Sequence, residues 1–306
     1  MLGEAIGSLQ RQSLPAESYE IIVVDNASTD DTRKVVEAAA ASGGRAVRYV
    51  REEQLGLHNA RHCGARAARA EILAFTDDDA VCEPNWLEEI LRSYADERVG
   101  AVGGKALPRW AVEPPRWILS YPGSLGLLDL GEEPRELPPP RSIYGVNFSI
   151  RRSLLFELGG FNPECFGETW LGDGETGLCL KIHAAGWKIL YQPKAVVWHI
   201  VSKERISLAY MKHRFRNQGA SDSYTAYRKR RPGRFRLGLE SGLFASLAIF
   251  FKLWAQVERC IPGFGYWQNE LYSSYCHSRA AYQYRLIVDT ELRAIADRER
   301  WLEKDS

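Results

Sequence analysis

Short apolar runs that end in acidic residues alternate with helix-forming segments along the first third of the chain. Residues 20–25 (EIIVVD) form the first run, and NASTDDT then supplies a turn and a helix N-cap before KVVEAAAA. The order repeats in VRYV, in HNARHCGARAARA and in EILAFTDDD, whose last three residues are Asp77, Asp78 and Asp79. Strands that alternate with helices predict an α/β fold with a mixed, mainly parallel sheet flanked by helices.

The pattern changes after this first part. Eight of the 14 prolines fall between Pro108 and Pro140. Because proline fixes φ and removes a backbone donor, we expect an irregular excursion over about 105–142. Strand and helix patterns then resume, and the last part of the chain reads as helices. We therefore predict an α/β domain over 1–220 and a helical C-terminal region over 221–306.

Composition and charge narrow the class of protein. Of the 306 residues, 40 are Lys or Arg and 39 are Asp or Glu, so the net charge of +1 does not favour nucleic acid as a partner. The six cysteines include no CxxC pair, which indicates reduced thiols. The first residues, MLGEAIGSLQRQ, lack the basic and apolar regions of a signal peptide. These features predict a cytoplasmic protein.

A basic run followed by an apolar helix leaves membrane contact open. RKRRPGRFR (228–236) holds six basic residues in nine, and Leu243–Phe251 is the longest apolar stretch. That stretch is about half of the ~20 residues that span a bilayer. The segment 228–254 therefore fits a peripheral position on the inner face of the cell membrane. A core helix preceded by a solvated basic loop is the alternative.

The three aspartates at 77–79 carry the first chemical prediction. Adjacent carboxylates repel one another unless a cation or water neutralises them, and Mg²⁺ or Mn²⁺ binds such oxygens together with substrate phosphates. Because side chains alternate along a strand, Asp77 and Asp79 should point the same way. The pattern predicts a divalent ion and a nucleotide diphosphate, although a solvated acidic loop would have the same composition. Asp25 ends a neighbouring strand, where it could bind the nucleoside or start its own turn.

Five segments resemble, in order, the sequence blocks of family 2 glycosyltransferases. They are EIIVVDNASTDDT, GLHNARHCGARAA, ILAFTDDD, YGVNFSIRR with LGGFN, and GDGETGLCLKIHAAGWKILYQPKAVVWH, and the likeness covers about residues 1–220. GGKALPRW and PPRW further resemble members that build bacterial polysaccharides. The resemblance implies a GT-A fold and a divalent metal, Mn²⁺ or Mg²⁺. It also implies inverting transfer of a sugar from a nucleotide diphosphate donor to a hydroxyl of a glycan or lipid-linked acceptor.

The resemblance assigns residues to this site. The nucleotide-sugar ligands correspond to Asp25, Asn26, Arg61, Asp77 and Asp78, and the metal ligands correspond to Asp77, Asp79 and His199. His62 stands where the block usually written ARNxG has an asparagine. A histidine that simply ends a strand is the alternative for His199.

An inverting transfer needs one carboxylate that takes the proton from the acceptor hydroxyl. The family supplies it from a Glu-Asp pair, and this chain has Gly-Glu at the aligned place, so Glu175 is the predicted base and Asp173 the second candidate. Both acids would also favour a helix N-terminus without a catalytic role. Trp110, Trp117 and Asn147 are predicted on the acceptor side, although aromatic side chains beside prolines also serve as packing anchors.

The resemblance also implies a first strand before the helix that begins here near Gly3. We expect that strand to be missing, and we expect about 15 further upstream residues to restore solubility and activity, a length set by one strand and its loop. Two other functions stay open. The missing strand and the altered Glu-Asp pair favour a non-catalytic nucleotide-binding or assembly subunit. A nucleotidyltransferase would also place acids at strand ends, but would usually have a glycine-rich basic loop.

Overall fold

The computed structural model describes residues 1–42, 45–166, 169–261 and 265–303. The helices in these ranges are α1 (Leu2–Gln10), α2 (Thr32–Ala41), α3 (Leu57–Ala67), α4 (Trp86–Ser93), α5 (Arg152–Glu157), α6 (Gly174–Ala184), α7 (Leu208–Arg230), α8 (Arg234–Arg259), α9 (Trp267–Val288) and α10 (Thr290–Asp297). The strands are β1 (Ile21–Asp25), β2 (Val47–Arg51), β3 (Ile72–Phe75), β4 (Ala80–Cys82), β5 (Val99–Trp110), β6 (Arg135–Glu136), β7 (Phe148–Arg151), β8 (Cys165–Phe166), β9 (Thr169–Trp170) and β10 (Lys188–Val201). The predicted α/β fold with a helical C-terminal region is confirmed.

Most strands belong to one mixed sheet with the order β3-β7-β5-β10-β4, and β6 pairs with β10. The parallel ladder between β5 and β10 is its longest pairing. Every second residue of β10 is buried, which is the two-residue period of a strand that covers a core on one face. A separate parallel pair, β1 and β2, aligns Asp25 with Arg51.

The carboxyl ends of β1 and β3 open onto one cavity. Within the described residues, β1 pairs only with β2, and β3 pairs only with β7, so each has an edge without a strand partner. Both strands, together with α1, α3 and α4, line a cavity of about 780 Å³ that extends to Asp25 and to Asp77, Asp78 and Asp79. The strand-end acids therefore meet at one place. An additional strand beside these edges stays a prediction.

Two apolar clusters hold the helices against the mixed sheet. One packs α5 and α6 against β3, β7 and β10, and the other packs α4 against β4, β5 and β10. Phe148 and Trp86 are among their largest fully buried side chains. Burial of each such side chain contributes about 1.5–3 kcal/mol, so the sheet is a rigid support for the loops at its carboxyl edge.

The proline-rich segment is more regular at its start than predicted. β5 runs on to Trp110, so residues 105–110 are strand and the irregular excursion begins after them. β7 pairs with residues 101–103 of β5, and Pro108 lies beyond them. At Pro108 the strand partner of β5 is β10, on one side, so a proline without an N–H donor is accommodated there.

The helical region also begins earlier than predicted. α7 runs unbroken from Leu208 to Arg230, so the expected boundary at residue 220 falls inside a helix. α9 packs against both α7 and α8. The Tyr282 hydroxyl of α9 donates to the Leu171 carbonyl at 2.6 Å, which ties this helical layer to the loop before α6.

Candidate active site

A buried arginine on α3 draws three carboxylates together. The Arg61 side chain is 7% exposed, and its Nη2 and Nη1 atoms lie 3.0 Å from Glu175 Oε1 and 3.3 Å from Glu164 Oε1. Asp77 Oδ1 is 4.0 Å from Nη2. The guanidinium also lies 5.1 Å from the centre of the Phe161 ring, a cation–π contact. One cation therefore compensates carboxylates from the end of β3, the loop before β8 and the start of α6.

Glu175 lies in the first turn of α6, where Arg61 and a backbone donor hold it. Its Oε1 accepts from the Gly145 N–H at 2.9 Å, and a side chain at Gly145 would collide with Arg61 and Glu175. Burial alone would raise the pKa of Glu175, but the Arg61 charge and hydrogen bonds to the carboxylate lower it to about 2. Burial and the Glu175 charge raise the pKa of Glu164 well above its usual value. Of the two carboxyl groups, Glu175 is therefore the one that loses its proton at lower pH.

A second charged cluster surrounds Asp79. Arg205 Nη2 lies 2.7 Å from Asp79 Oδ2, and His199 Nε2 lies 3.2 Å from Oδ1. Arg205 Nη1 is also 2.8 Å from His199 Nε2, so with this arginine donating, the ring nitrogen is an acceptor. Burial alone would raise the pKa of Asp79, whereas the adjacent Arg205 guanidinium lowers it. Asp79 is thus held as a buried carboxylate.

This second cluster offers the atoms that a divalent ion binds. Asp79 Oδ1 and His199 Nδ1 are buried and have no hydrogen-bond partner in the described chain. A carboxylate and an imidazole fit Mn²⁺ or Mg²⁺ when diphosphate oxygens complete the shell. Across 1–42, 45–166, 169–261 and 265–303, no group of three Asp, Glu, His or Cys side chains forms a ready metal site. The residues therefore fit an ion that binds together with its substrate.

Asp77 and Asp78 occupy different environments beside Asp79. Asp78 is exposed and lines the cavity. Burial raises the pKa of Asp77, the Arg61 charge partly offsets this, and the Asp79 carboxylate adds to it. Asp77 therefore lies between the Arg61 cluster and the Asp79 cluster.

Asp25 and Asn26 line the cavity, but protein groups already occupy their polar atoms. Asp25 Oδ1 accepts from the Ser28 N–H at 2.8 Å, and Oδ2 accepts from the Tyr49 hydroxyl at 2.6 Å. The Asn26 amide donates to the Glu52 carbonyl at 3.0 Å. These contacts fix the turn after β1, and starting this turn is the alternative role predicted for Asp25. Their predicted contact with the nucleoside stays a prediction.

Asp173, the second candidate base, is engaged on both carboxylate oxygens. Oδ1 accepts from Asn162 Nδ2 and Oδ2 accepts from the Thr225 hydroxyl, each at 2.7 Å. Burial raises the pKa of Asp173. These contacts join α6 to α7 and favour a structural role over proton transfer.

The predicted acceptor-side residues pack within the protein. The Asn147 amide accepts from the Trp86 indole N–H at 2.9 Å and donates to backbone carbonyls of β5 and β10. Trp110 and Trp117 are partly buried against a cluster that includes α7, and the Trp117 ring lies 5.9 Å from the Trp267 ring. None of the three residues that were assigned to the acceptor lines the described cavity. Their acceptor role stays a prediction.

His62 has a structural role that explains its departure from the family block. Its Nε2 accepts the Phe161 N–H at 2.9 Å, and burial lowers the pKa of His62 to about 3. As the pH falls below about 6.5, His62 binds a proton in the unfolded chain but stays neutral in the folded chain. The free energy of unfolding therefore falls by about 1.4 kcal/mol per pH unit. This stabilisation is fully present above pH 6.5 and is lost toward the folded pKa.

Between pH 6.5 and 5, we expect the free energy of unfolding to fall by about 2 kcal/mol less in His62→Asn than in the unmodified chain. Asparagine keeps an oxygen acceptor for the Phe161 N–H but has no proton to take up. Urea unfolding at several pH values measures the slope, with His277→Asn on the exposed surface as the matched control. Identical slopes for His62→Asn and the unmodified chain would contradict this account.

Two residues of the site escaped the sequence analysis. Glu164 lies in a turn-rich segment, and nothing in the local sequence indicates that its side chain reaches Arg61. Arg205 follows His199 by six residues. The sequence signal that could have identified Arg205 is its position as a basic residue just after the strand that carries the predicted metal ligand. Its position became clear only from the path of the chain after β10, which brings it to Asp79.

The α/β sheet with its flanking helices and helical C-terminal region is the architecture of a transferase of the GT-A type. The chain belongs to glycosyltransferase family 2, because the sequence profile described as Glycosyl transferase family 2 matches residues 1–158.

Two curated relatives and one solved structure are similar to this chain. A glucosyl-dolichyl phosphate glucuronosyltransferase of Haloferax volcanii is 28% identical over 69% of this chain and 69% of its own length. The succinoglycan biosynthesis protein ExoM of Rhizobium meliloti is 28% identical over 71% of this chain and 68% of its own length. The Pyrobaculum calidifontis mannosyltransferase PcManGT, solved with GDP-Man and Mn²⁺, matches with a TM-score of 0.60 and 21% identity over 95% of this chain and 84% of its own. The predicted family and GT-A fold are confirmed.

Proposed function

We propose that this glycosyltransferase moves a sugar, with inversion, from a nucleotide diphosphate donor to a hydroxyl of a glycan or lipid-linked acceptor in polysaccharide biosynthesis. The observation that carries the proposal is the cavity at the ends of β1 and β3. Its lining includes Arg61, Asp77, Asp78, Asp79 and Arg205. Glu175 and His199 do not line it but contact Arg61 and Asp79, respectively.

The donor side of the proposal rests on the Asp79 cluster. Asp79 and His199 would hold Mn²⁺ or Mg²⁺, with Asp77 beside them. When bound, the ion would neutralise charge on the leaving diphosphate. Arg205 lines the cavity with its side chain 32% exposed, so it supplies a second positive charge for the diphosphate.

The acceptor side rests on the Arg61 cluster. Glu175 keeps 23% of its side chain exposed, whereas Glu164 keeps 7%, so Glu175 is the carboxylate that an acceptor hydroxyl can reach. Arg61 and the Gly145 N–H hold Oε1 and keep the group ionised. Glu175 would take the proton from the acceptor hydroxyl as that oxygen attacks the sugar carbon opposite the leaving diphosphate.

The relatives support the substrate classes in this proposal. One named relative acts on a glucosyl-dolichyl phosphate, and another serves succinoglycan biosynthesis. The solved mannosyltransferase holds GDP-Man and Mn²⁺. The first name supports a lipid-linked acceptor, and the second supports a role in polysaccharide biosynthesis.

We expect divalent-metal-dependent release of nucleotide from one member of a panel of nucleotide sugars, increased by a suitable glycan acceptor. Asp79→Asn should weaken metal-dependent donor binding by about 10–100-fold, because it removes the anionic ligand next to His199. Calorimetric titration of donor with Mn²⁺ or with a chelator measures the change.

Glu37→Gln is the matched control, since Glu37 is an exposed acid on α2 that pairs with Arg33. Its donor affinity should equal that of the unmodified chain. Donor binding that is indifferent to both the chelator and Asp79→Asn would reject the metal part of the proposal. Absence of release across the whole panel in the presence of acceptors, despite donor binding, would favour the assembly role.

A further inference from the structure

One face of α8 carries a continuous apolar stripe exposed to solvent. At about 100° of rotation per residue its members fall on one side of the helix, and they are Phe235, Leu239, Leu243, Ile249, Phe250, Leu253, Trp254, Val257 and, just beyond the helix, Ile261. Their exposed fractions run from 43% to 82%. Soluble monomers rarely expose large contiguous apolar patches, and such a patch marks an interaction or membrane surface. We refer to these nine residues as the outer stripe.

The opposite face of α8 is fixed against α9. Leu237, Ala248 and Ala255 are buried there. Fully buried Glu270 of α9 accepts from Lys252 Nζ at 3.0 Å and from Arg259 Nη2 at 2.9 Å. These two ion pairs set the rotation of α8 about its axis, so the outer stripe points away from the protein.

The same ion pairs exclude a spanning orientation. α8 is long and apolar enough to cross a bilayer, and little of it is buried within the protein. Crossing would separate Lys252 and Arg259 from Glu270, place the Lys252 cation in hydrocarbon, and leave Glu270 with Lys212 as its remaining cation among these ion pairs. A helix with one apolar face and one tethered polar face instead lies in the plane of a membrane interface.

Positive charge is concentrated at the N-terminal end of the outer stripe. The basic cluster (228–236) has six cationic side chains, and the acids that pair with them in the described chain are Glu240 and Asp297. Lys229 and Arg234 are exposed and form no ion pair among the described residues. Phe235, the most exposed member of the stripe at 82%, lies directly beside Arg234.

We infer that α8 is a membrane-docking helix that lies flat on an anionic lipid bilayer, with the outer stripe among the acyl chains and the basic cluster against the headgroups. The charge pattern favours a bilayer over a second copy of this chain. The acids of α8, Glu240 and Glu258, are both turned inward, so a second α8 would offer no negative charge to the basic cluster. Anionic phospholipids offer it at every headgroup.

Vesicle co-sedimentation with the full chain tests this inference. We expect binding to vesicles of phosphatidylcholine with phosphatidylserine at low salt, and much weaker binding to phosphatidylcholine alone or at high salt. The double variant Phe250→Ser with Trp254→Ser should lose at least ten-fold in partitioning, and Lys229→Gln with Arg234→Gln should lose roughly five-fold per removed charge.

The matched control is Val112→Ser with Leu119→Ser, which removes two apolar side chains of similar exposure, 46% and 57%, outside α8. It should bind vesicles as the unmodified chain does. Because all these side chains are exposed, circular dichroism should show an unchanged fold, and a variant that fails this check is replaced by Leu253→Ser.

Three results would overturn the inference. The first is absence of vesicle binding at low salt. The second is a stable dimer that Phe250→Ser with Trp254→Ser disperses while vesicles bind nothing, which would assign the stripe to a second copy. The third concerns membranes isolated from expressing cells. If the protein stays in these membranes during an alkaline carbonate wash and is released only by detergent, α8 is a spanning helix. Release by carbonate supports the flat orientation.

Discussion

Glu175→Gln should lower turnover by about 10²–10⁴-fold while donor affinity stays close to that of the unmodified chain. The substitution keeps the shape of the side chain and its acceptor oxygen for Arg61 and the Gly145 N–H, but it removes the basicity that an acceptor proton requires. Single-turnover transfer at saturating donor and acceptor measures the effect. Calorimetric donor binding shows that the site is intact.

Asp173→Asn separates the two candidate bases. Both oxygens of Asp173 accept hydrogen bonds, from Asn162 and Thr225, so an amide there weakens both by removing the negative charge, and it forces the Thr225 hydroxyl to accept an N–H in place of donating. We expect a loss of stability of about 1–3 kcal/mol and near-normal turnover in the folded fraction. The opposite result, normal turnover in Glu175→Gln and a large kinetic loss in folded Asp173→Asn, would move the base to Asp173.

The placement of acids at strand ends was predictable because it depends on local patterns. β1 and β3 are short apolar runs bounded by turn residues, and their periodicity fixes where each ends. Asp25 and Asp77 then line one cavity, although β1 and β3 belong to separate sheets. Such arguments need only the alternation of strand and helix.

The charge network could not be predicted in the same way. Arg61 and Glu164 are 103 residues apart, and their contact depends on the path of the loop before β8. Packing also decided the role of Asn147, whose amide joins three elements, because a buried amide must satisfy its donors wherever the fold leaves carbonyls. Pro108 shows the same limit, since a proline excludes a strand only where its missing N–H would face a partner.

The cation at the centre of this network carries the second large effect. Arg61→Met should lower the unfolding free energy by about 3–5 kcal/mol, because methionine fills similar volume but leaves buried Glu164 and Glu175 without a counter-charge. Turnover should also fall, since the Arg61 charge is what keeps the pKa of Glu175 low. Urea unfolding at neutral pH measures the stability change.

A second substitution isolates the electrostatic cause of that loss. Glu164→Gln removes one of the two uncompensated carboxylates, so Arg61→Met with Glu164→Gln should be more stable than Arg61→Met alone. Relative to the unmodified chain, the single Arg61→Met chain should also recover stability as the pH falls from about 7 to 5, because its two carboxylates bind protons more readily in the folded than in the unfolded chain. A strictly additive cycle with no such pH dependence would mean that Arg61 acts through packing on Phe161, and that the carboxylates do not depend on its charge.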